Sequence, residues 1–214
     1  MFTGIIEEVG RVAAIAQEGD SRRVRIEAES VPPQLKTGAS VAVSGICLTA
    51  LDIRKNSFSA DLAPETWSRT SFSRLREGAL VNLELSMKAK GRFDGHIVQG
   101  HVDGVGTVGA FDQIADSDNW WLQIRLPAEL EKYAVHKGSI TIEGISLTIA
   151  KLDSLDCTVA IIPHTVKMTN LRSLKSGDPV NLEMDVVAKY VEKLMRREGA
   201  ASSVTIEQLV KAGF

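Results

Sequence analysis

The chain repeats itself, and no other feature limits its fold so strongly. "GICLTA" at residues 45–50 returns as "GISLTI" at 144–149, 99 positions later. At the same spacing "LAPETW" (62–67) matches "IIPHTV" (161–166), and "GALVNLE" (78–84) matches "GDPVNLE" (177–183). "LKTGASVAVSG" parallels "VHKGSITIEG", and the opening "TGIIEEVGRV" matches "QGHVDGVGTV" (99–108) at an offset of 96. Five blocks in one order describe a tandem duplication of a unit of about 95 residues, enough for one small core each.

Both units read as β-structure. "VRIEA", "SVAVSG" and "VNLEL", with their partners "LQIRL", "SITIEG" and "VNLEM", alternate apolar and polar residues with period two. Glycine-bearing turns ("LKTG", "LREG", "VHKG", "LKSG") separate them. Short alternating strands with regular turns predict a small closed barrel per unit, which leaves no sheet edge exposed. The expected organisation is a first barrel over 1–90, a polar linker within "MKAKGRFDG" (87–95), a second barrel over 97–185 and a helical segment over 186–214. Asp185 is a candidate cap. Val186, Val187, Tyr190, Val191, Leu194 and Met195 keep helical spacing, and Gly199 is the expected stop. Thr205 and Gln208 stand at capping-box spacing for a further turn. The apolar stripe packs either on its own barrel or on identical helices of other subunits.

Charge excludes several function classes. With 25 basic against 27 acidic residues, the chain carries no footprint for nucleic acid or an anionic membrane. No apolar run is long enough to span a bilayer, and the N-terminus lacks a signal peptide's basic region. The two cysteines, Cys47 and Cys157, lack CxxC spacing, so the expectation is a reducing, cytoplasmic setting without a metal site. Gly104, Gly106 and Gly109 spell G-x-G-x-x-G. A polar turn and another alternating strand follow them, not the helix a dinucleotide site requires, and the earlier copy also has Gly4 and Gly10 opposite Gly100 and Gly106. These glycines are architectural.

Chemistry is sought where the copies disagree. His101 stands opposite Ile5, Cys47 opposite Ser146, Ser44 opposite Glu143, and Glu65 opposite His164. His96 and His101, five apart on an expected strand, would face opposite ways and share no metal. Cys157, inside "CTVAIIP", reads as a buried small hydrophobe, and Cys47 on its own would usually be one too. In both units the "LT" strand and the "P-x-T" strand end fall at equivalent places, so polar groups gather at one rim per barrel.

"MFTGIIEEVGRV", "GICLTA", "GHIVQGHVDGVG", "GISLTI" and "IIPHTVKMTNL" closely resemble the alpha-type riboflavin synthase family over about residues 1–200. The resemblance implies two similar six-stranded antiparallel barrels and a C-terminal helix that assembles a homotrimer, with each active site between barrels of neighbouring subunits. It also implies a cofactor-free reaction, the last step of riboflavin biosynthesis. Two molecules of 6,7-dimethyl-8-ribityllumazine dismutate by four-carbon transfer to riboflavin and 5-amino-6-(D-ribitylamino)uracil.

Carried over by position, the first barrel's pocket would use Gly4, Ile5, Ile6, Cys47, Leu48, Thr49, Asp61, Leu62, Ala63, Pro64, Glu65 and Thr66. The second would use Gly100, His101, Val102, Ser146, Leu147, Thr148, Ile162, Pro163, His164, Thr165, Val166 and Lys167, with Lys137 near the ribityl chain. Phe2 and the leucines would cover the dimethyl face. His101 is the candidate for proton transfer, because an imidazole ordinarily titrates at about 6.5. Cys47 or Ser146 would act as nucleophile or position water. Ser44 and Glu143 depart from the family's usual residues close to the pockets. A non-catalytic lumazine- or flavin-binding protein of the same fold is the alternative.

Overall fold

A computed structural model describes residues 1–200 and residue 211. The first half contains β1 (Glu8–Glu18), β2 (Ser21–Glu27), β3 (Ser40–Val43), β4 (Ile46–Thr49), β5 (Leu51–Arg54), β6 (Ser57–Leu62), helix α1 (Pro64–Arg69) and β7 (Leu80–Leu85). The second contains β8 (Gly104–Gln113), β9 (Trp120–Arg125), β10 (Ser139–Ile142), β11 (Ile145–Asp153), β12 (Asp156–Ile161), helix α2 (Pro163–Met168) and β13 (Pro179–Met184), followed by α3 (Val186–Ala200).

The second half closes into a six-stranded barrel of order β10-β11-β12-β9-β8-β13. The first half runs β4-β3-β7-β1-β2-β6-β5. This is the same circuit with one strand cut: β4 and β5 together replace β11, interrupted at Ala50. Ala50 still donates to the Ala39 carbonyl and accepts from the Gly38 amide, as Ile149 does with Gly138 and Lys137. Both halves also bend at equivalent bulges, between Val12 and Ala14 and between Val108 and Ala110. The second bulge places Gly109, the third glycine of the G-x-G-x-x-G, where the ladder is irregular. Gly106 and Gly10 are close-approach sites. A methyl on either would come within 2.9 Å of Ile124 and Leu182, or of Ile26 and Leu83.

Each barrel has its own core, one built around Phe58, Phe72, Ile26 and Leu83, the other around Ile124, Ile140, Ile149 and Leu182. Cys157 lies inside the second, where burial pushes its thiol up to about 11.

The barrels meet about a pseudo-twofold axis. Phe2 and Val98, equivalent positions in the two copies, form a bridge across it. The β3–β4 and β10–β11 hairpins turn on Ser44-Gly45 and Glu143-Gly144, all with positive φ, the conformation of a two-residue primed turn. A Cβ on Gly45 would lie 2.8 Å from the Gly144 nitrogen, so the tips touch back to back. Asn82 donates to the Glu143 carbonyl and Asn181 to the Ser44 carbonyl, each at 2.9 Å. Glu143 is buried here, accepting from the Asn181 amide and Asn170 Nδ2 at 2.8 Å each, and burial raises its carboxyl above the usual range. Ser44 and Glu143 therefore hold barrel to barrel.

Helix α3 runs through Gly199, so that glycine does not end it. The expected Thr205–Gln208 capping pair lies outside the described residues. Asp185 accepts from the Val187 amide at 2.9 Å, as a cap does. The stripe does not pack on its own barrel: Val187, Tyr190, Leu194 and Met195 are all more than half exposed. Polar contacts dock the helix, with Glu192 on Lys132 and Tyr133 and Lys189 on Asp103.

Candidate functional site

Two rims form, one per barrel, and each is completed by the other half of the chain. The Cys47 amide donates to the Gly100 carbonyl at 2.8 Å, and the Ser146 amide to the Gly4 carbonyl at 2.8 Å. Gly4 and Gly100 hold φ of 78° and 80°, and a Cβ there would meet the Cβ of Ser146 at 2.7 Å or of Cys47 at 2.6 Å. Val102 packs on the first core and Ile6 on the second. The expected grouping is thus exchanged. Gly100, His101 and Val102 join Cys47, Leu48 and Thr49, whereas Gly4, Ile5 and Ile6 join Ser146, Leu147 and Thr148.

The rims differ in what lies beneath. Under Cys47 is an apolar cluster of Phe2, Ala42 and Val98. Phe2 has no exposed surface, so it supports the Cys47 strand from below and does not cover a ligand. Under Ser146 lies His96, with Nδ1 2.7 Å from Ser146 Oγ and Nε2 3.1 Å from Thr141 Oγ1. Burial lowers the His96 pKa against an opposing pull from Asp185, which favours the neutral ring. A neutral imidazole has one accepting and one donating nitrogen, so Nδ1 can accept from the Ser146 hydroxyl while Nε2–H donates to Thr141.

His96 is the residue that sequence reasoning misses as a site member. Its only available signal is that Ser146 and Thr141 replace Cys47 and Ala42 of the first copy. The two histidines do diverge, His96 buried and His101 exposed, but on an irregular segment bridged at Val98 and not on a continuous strand.

The "P-x-T" segments are helices, not strand ends. Pro64 and Pro163 open α1 and α2, where the missing amide of proline costs nothing. Glu65 and Thr66, like His164, Thr165, Val166 and Lys167, are therefore presented on these short helices. Ala63, Pro64, Ile162 and Pro163 are exposed next to them. Leu62 is fully buried and Leu48 nearly so, which places both in the core. Asp61 forms a two-pronged pair with Arg23 at 2.7 and 2.9 Å, which holds its carboxyl below the usual range. Thr49 and Thr148 are both exposed, Thr49 at the end of β4 and Thr148 within β11. Lys137 is exposed at φ 64°, where the first copy has Gly38 at φ 86°. That is a left-handed position a lysine occupies at a cost.

A family model described as the lumazine binding domain matches residues 3–86 and again 99–185. The chain belongs to the lumazine-binding family. Curated members similar to it over full length include riboflavin synthases of Actinobacillus pleuropneumoniae (45% identical, 100% of both chains) and Bacillus subtilis (38% identical, 99% of this chain and 97% of that one). Among solved structures, LumP complexed with riboflavin superposes with a TM-score of 0.80 at 26% identity, covering 86% of this chain and 99% of LumP. LumP complexed with 6,7-dimethyl-8-(1'-D-ribityl) lumazine gives 0.76.

Proposed function

We propose that the chain has riboflavin synthase activity: it converts two molecules of 6,7-dimethyl-8-ribityllumazine into riboflavin and 5-amino-6-(D-ribitylamino)uracil without a cofactor. Full-length similarity to curated riboflavin synthases at 38–45% identity carries this reading. The geometry fits the chemistry. A reaction between two copies of one molecule needs two like pockets, and the duplication supplies them. One copy must give carbon and the other receive it, which needs pockets that differ, and Cys47 with His101 against Ser146 with Ile5 is such a difference. Stacking the two ring systems in a fixed orientation is worth up to about 7–11 kcal/mol of barrier.

In this reading His101 removes the proton from the 7-methyl group of one molecule, from a rim whose backbone is fixed through Gly100. Ser146, backed by His96, directs a hydroxyl or water to the ring of the other. Thr49, Thr148, Lys137 and the first turns of α1 and α2 hold the ring edges and ribityl chains. The units function as a first barrel over 1–90 and a second over 97–185. The half-sites lie open on a single chain, and the apolar face of α3 borders a groove of about 650 Å³ lined by Tyr133, Val135, Val191 and Met195. Both features fit the homotrimer that the family resemblance implies, in which α3 helices pack together and half-sites of neighbours face one another, in the cytoplasmic setting expected from the sequence. Among the described residues, no helix is long and apolar enough to cross a membrane.

The test is incubation of the purified protein with 6,7-dimethyl-8-ribityllumazine alone while flavin absorbance is followed. Flavin should form with no additive. Tight binding without flavin would make the chain a binding protein, the reading that likeness to LumP favours. Truncation after Asp185 should abolish the trimer in solution, and a surviving trimer would remove α3 as the assembly element.

A further inference from the structure

Three backbone amides of the segment carrying His101 converge on a single buried carboxylate. Glu183, on β13 and 2% exposed, accepts from the amides of Gln99 at 2.7 Å, Gly100 at 2.9 Å and His101 at 3.0 Å. The Gly100 carbonyl, on the other side of the same residue, accepts from Cys47 of the first barrel. Asp103 adds a second fastening. Its amide donates to the Leu182 carbonyl, and its carboxylate accepts from the Met184 amide and pairs with Lys189 of α3. The first half has a corresponding clamp, in which Glu84 takes the Thr3 amide, Thr3 hydroxyl and Gly4 amide while the Gly4 carbonyl accepts from Ser146. Each glutamate thus belongs to one barrel and shapes the rim of the other.

We propose that Glu183 is a positioning residue that acts across the pseudo-twofold axis, fixing His101 against the Cys47 strand so that the first barrel's half-site depends on a carboxylate of the second. Only an acceptor with two oxygens and no proton of its own satisfies three converging N–H groups. A glutamine in the same place points an NH₂ at one of them. That loss frees the Gln99–His101 backbone, and with it both the imidazole and the cover it gives Cys47. Burial raises the Glu183 carboxyl above the usual range, against the opposing pull of the three amides and Lys189. The geometry, three N–H donors on two carboxylate oxygens, is what an acceptor-only group fits. The consequence for turnover rests on the function proposed above, whereas the effect on Cys47 does not.

The experiment compares Glu183→Gln with Glu84→Gln in the full chain, reading alkylation of Cys47 by iodoacetamide through mass spectrometry. Cys157, with no exposed surface, is the internal reporter of unfolding. Glu183→Gln should raise the Cys47 rate about fivefold or more, by local opening, and Glu84→Gln should leave it within about twofold. Turnover of the lumazine should fall about tenfold in kcat for Glu183→Gln with KM within about threefold, the pattern of a lost transition-state contact. A Cys47 rate unchanged in Glu183→Gln, or raised equally by both variants, overturns the proposal. If Cys157 also reacts in Glu183→Gln, Glu183→Asp takes its place, because it keeps the charge one methylene short. The same two rates are then measured, and an unchanged Cys47 rate again overturns the proposal. Wild-type protein that makes no flavin refutes the proposed function, and the alkylation arm still decides the clamp.

Discussion

The two halves of this chain share a circuit of strands and differ mainly along one axis. Around the first rim, Cys47 rests on Phe2, Ala42 and Val98, and Gly100 of the other half, followed by the exposed His101, packs against it. Around the second, Ser146 rests on a buried imidazole and Thr141, and Ile5 takes the place of His101. One rim carries its histidine on the surface over a dry base, the other beneath a hydroxyl. Duplication provides two similar rims with few changes of sequence, and a handful of replacements makes them chemically different.

The strongest way to break this contrast is to erase it at His101. His101→Ile copies the first half, and turnover should fall about 100-fold, the range of a lost general base, while lumazine affinity stays within about threefold. Steady-state flavin formation and a fluorescence titration would check this. An unchanged rate of 7-methyl proton exchange in that variant would remove His101 from the proton-transfer role.

Glu143→Ser symmetrises the inter-barrel turn instead. It strips acceptors from the buried Asn181 amide and Asn170 side chain, and should cost about 2 kcal/mol or more by urea denaturation. Loss of only a few tenths would mean that Asn170 and Asn181 find other partners.

Glu143→Gln sharpens the same point through pH. The folded-state pKa of Glu143 is raised, so the stability it contributes is present below the ordinary value of about 4.5 and is lost as pH rises through the folded value. Wild type should therefore lose ground to Glu143→Gln as pH climbs from about 4.5 to 8, read as the difference in Tm. A difference that is flat or of opposite slope would place the shift elsewhere.

The smallest effect is expected at Lys137→Gly, which copies Gly38. It relieves about 1–2 kcal/mol of left-handed strain and costs about 0.5–1 kcal/mol in chain entropy, a net gain on the order of 0.5 kcal/mol. If Lys137 addresses the ribityl chain, KM should rise in the same variant.

Much of the architecture is legible in the sequence because it is local. Period-two alternation marks β2, β3, β7 and their partners, and glycine-bearing turns mark their ends. The expected helix stop fails at Gly199, where one glycine inside a helix costs only about 1 kcal/mol and does not end it. The short helices at Pro64 and Pro163 read as strand ends in sequence, since six residues are too few to set a helical period against a strand's. His96 gives no local signal because its partners, Ser146 and Thr141, lie 50 and 45 positions away.

By itself, the sequence determined that the chain is a duplicated barrel and which positions are twins, because strand alternation and turn chemistry are written residue by residue. It could not say which barrel each twin serves. Placing Gly4 beside Cys47 or beside Ser146 buries the same kinds of atoms in the same kinds of contact, so the pattern of residues does not distinguish the two. Only the tertiary structure decided that the terminal segments cross the axis, because only there do Glu84 and Glu183 grip one end of each glycine peptide while the opposite barrel's strand takes the other.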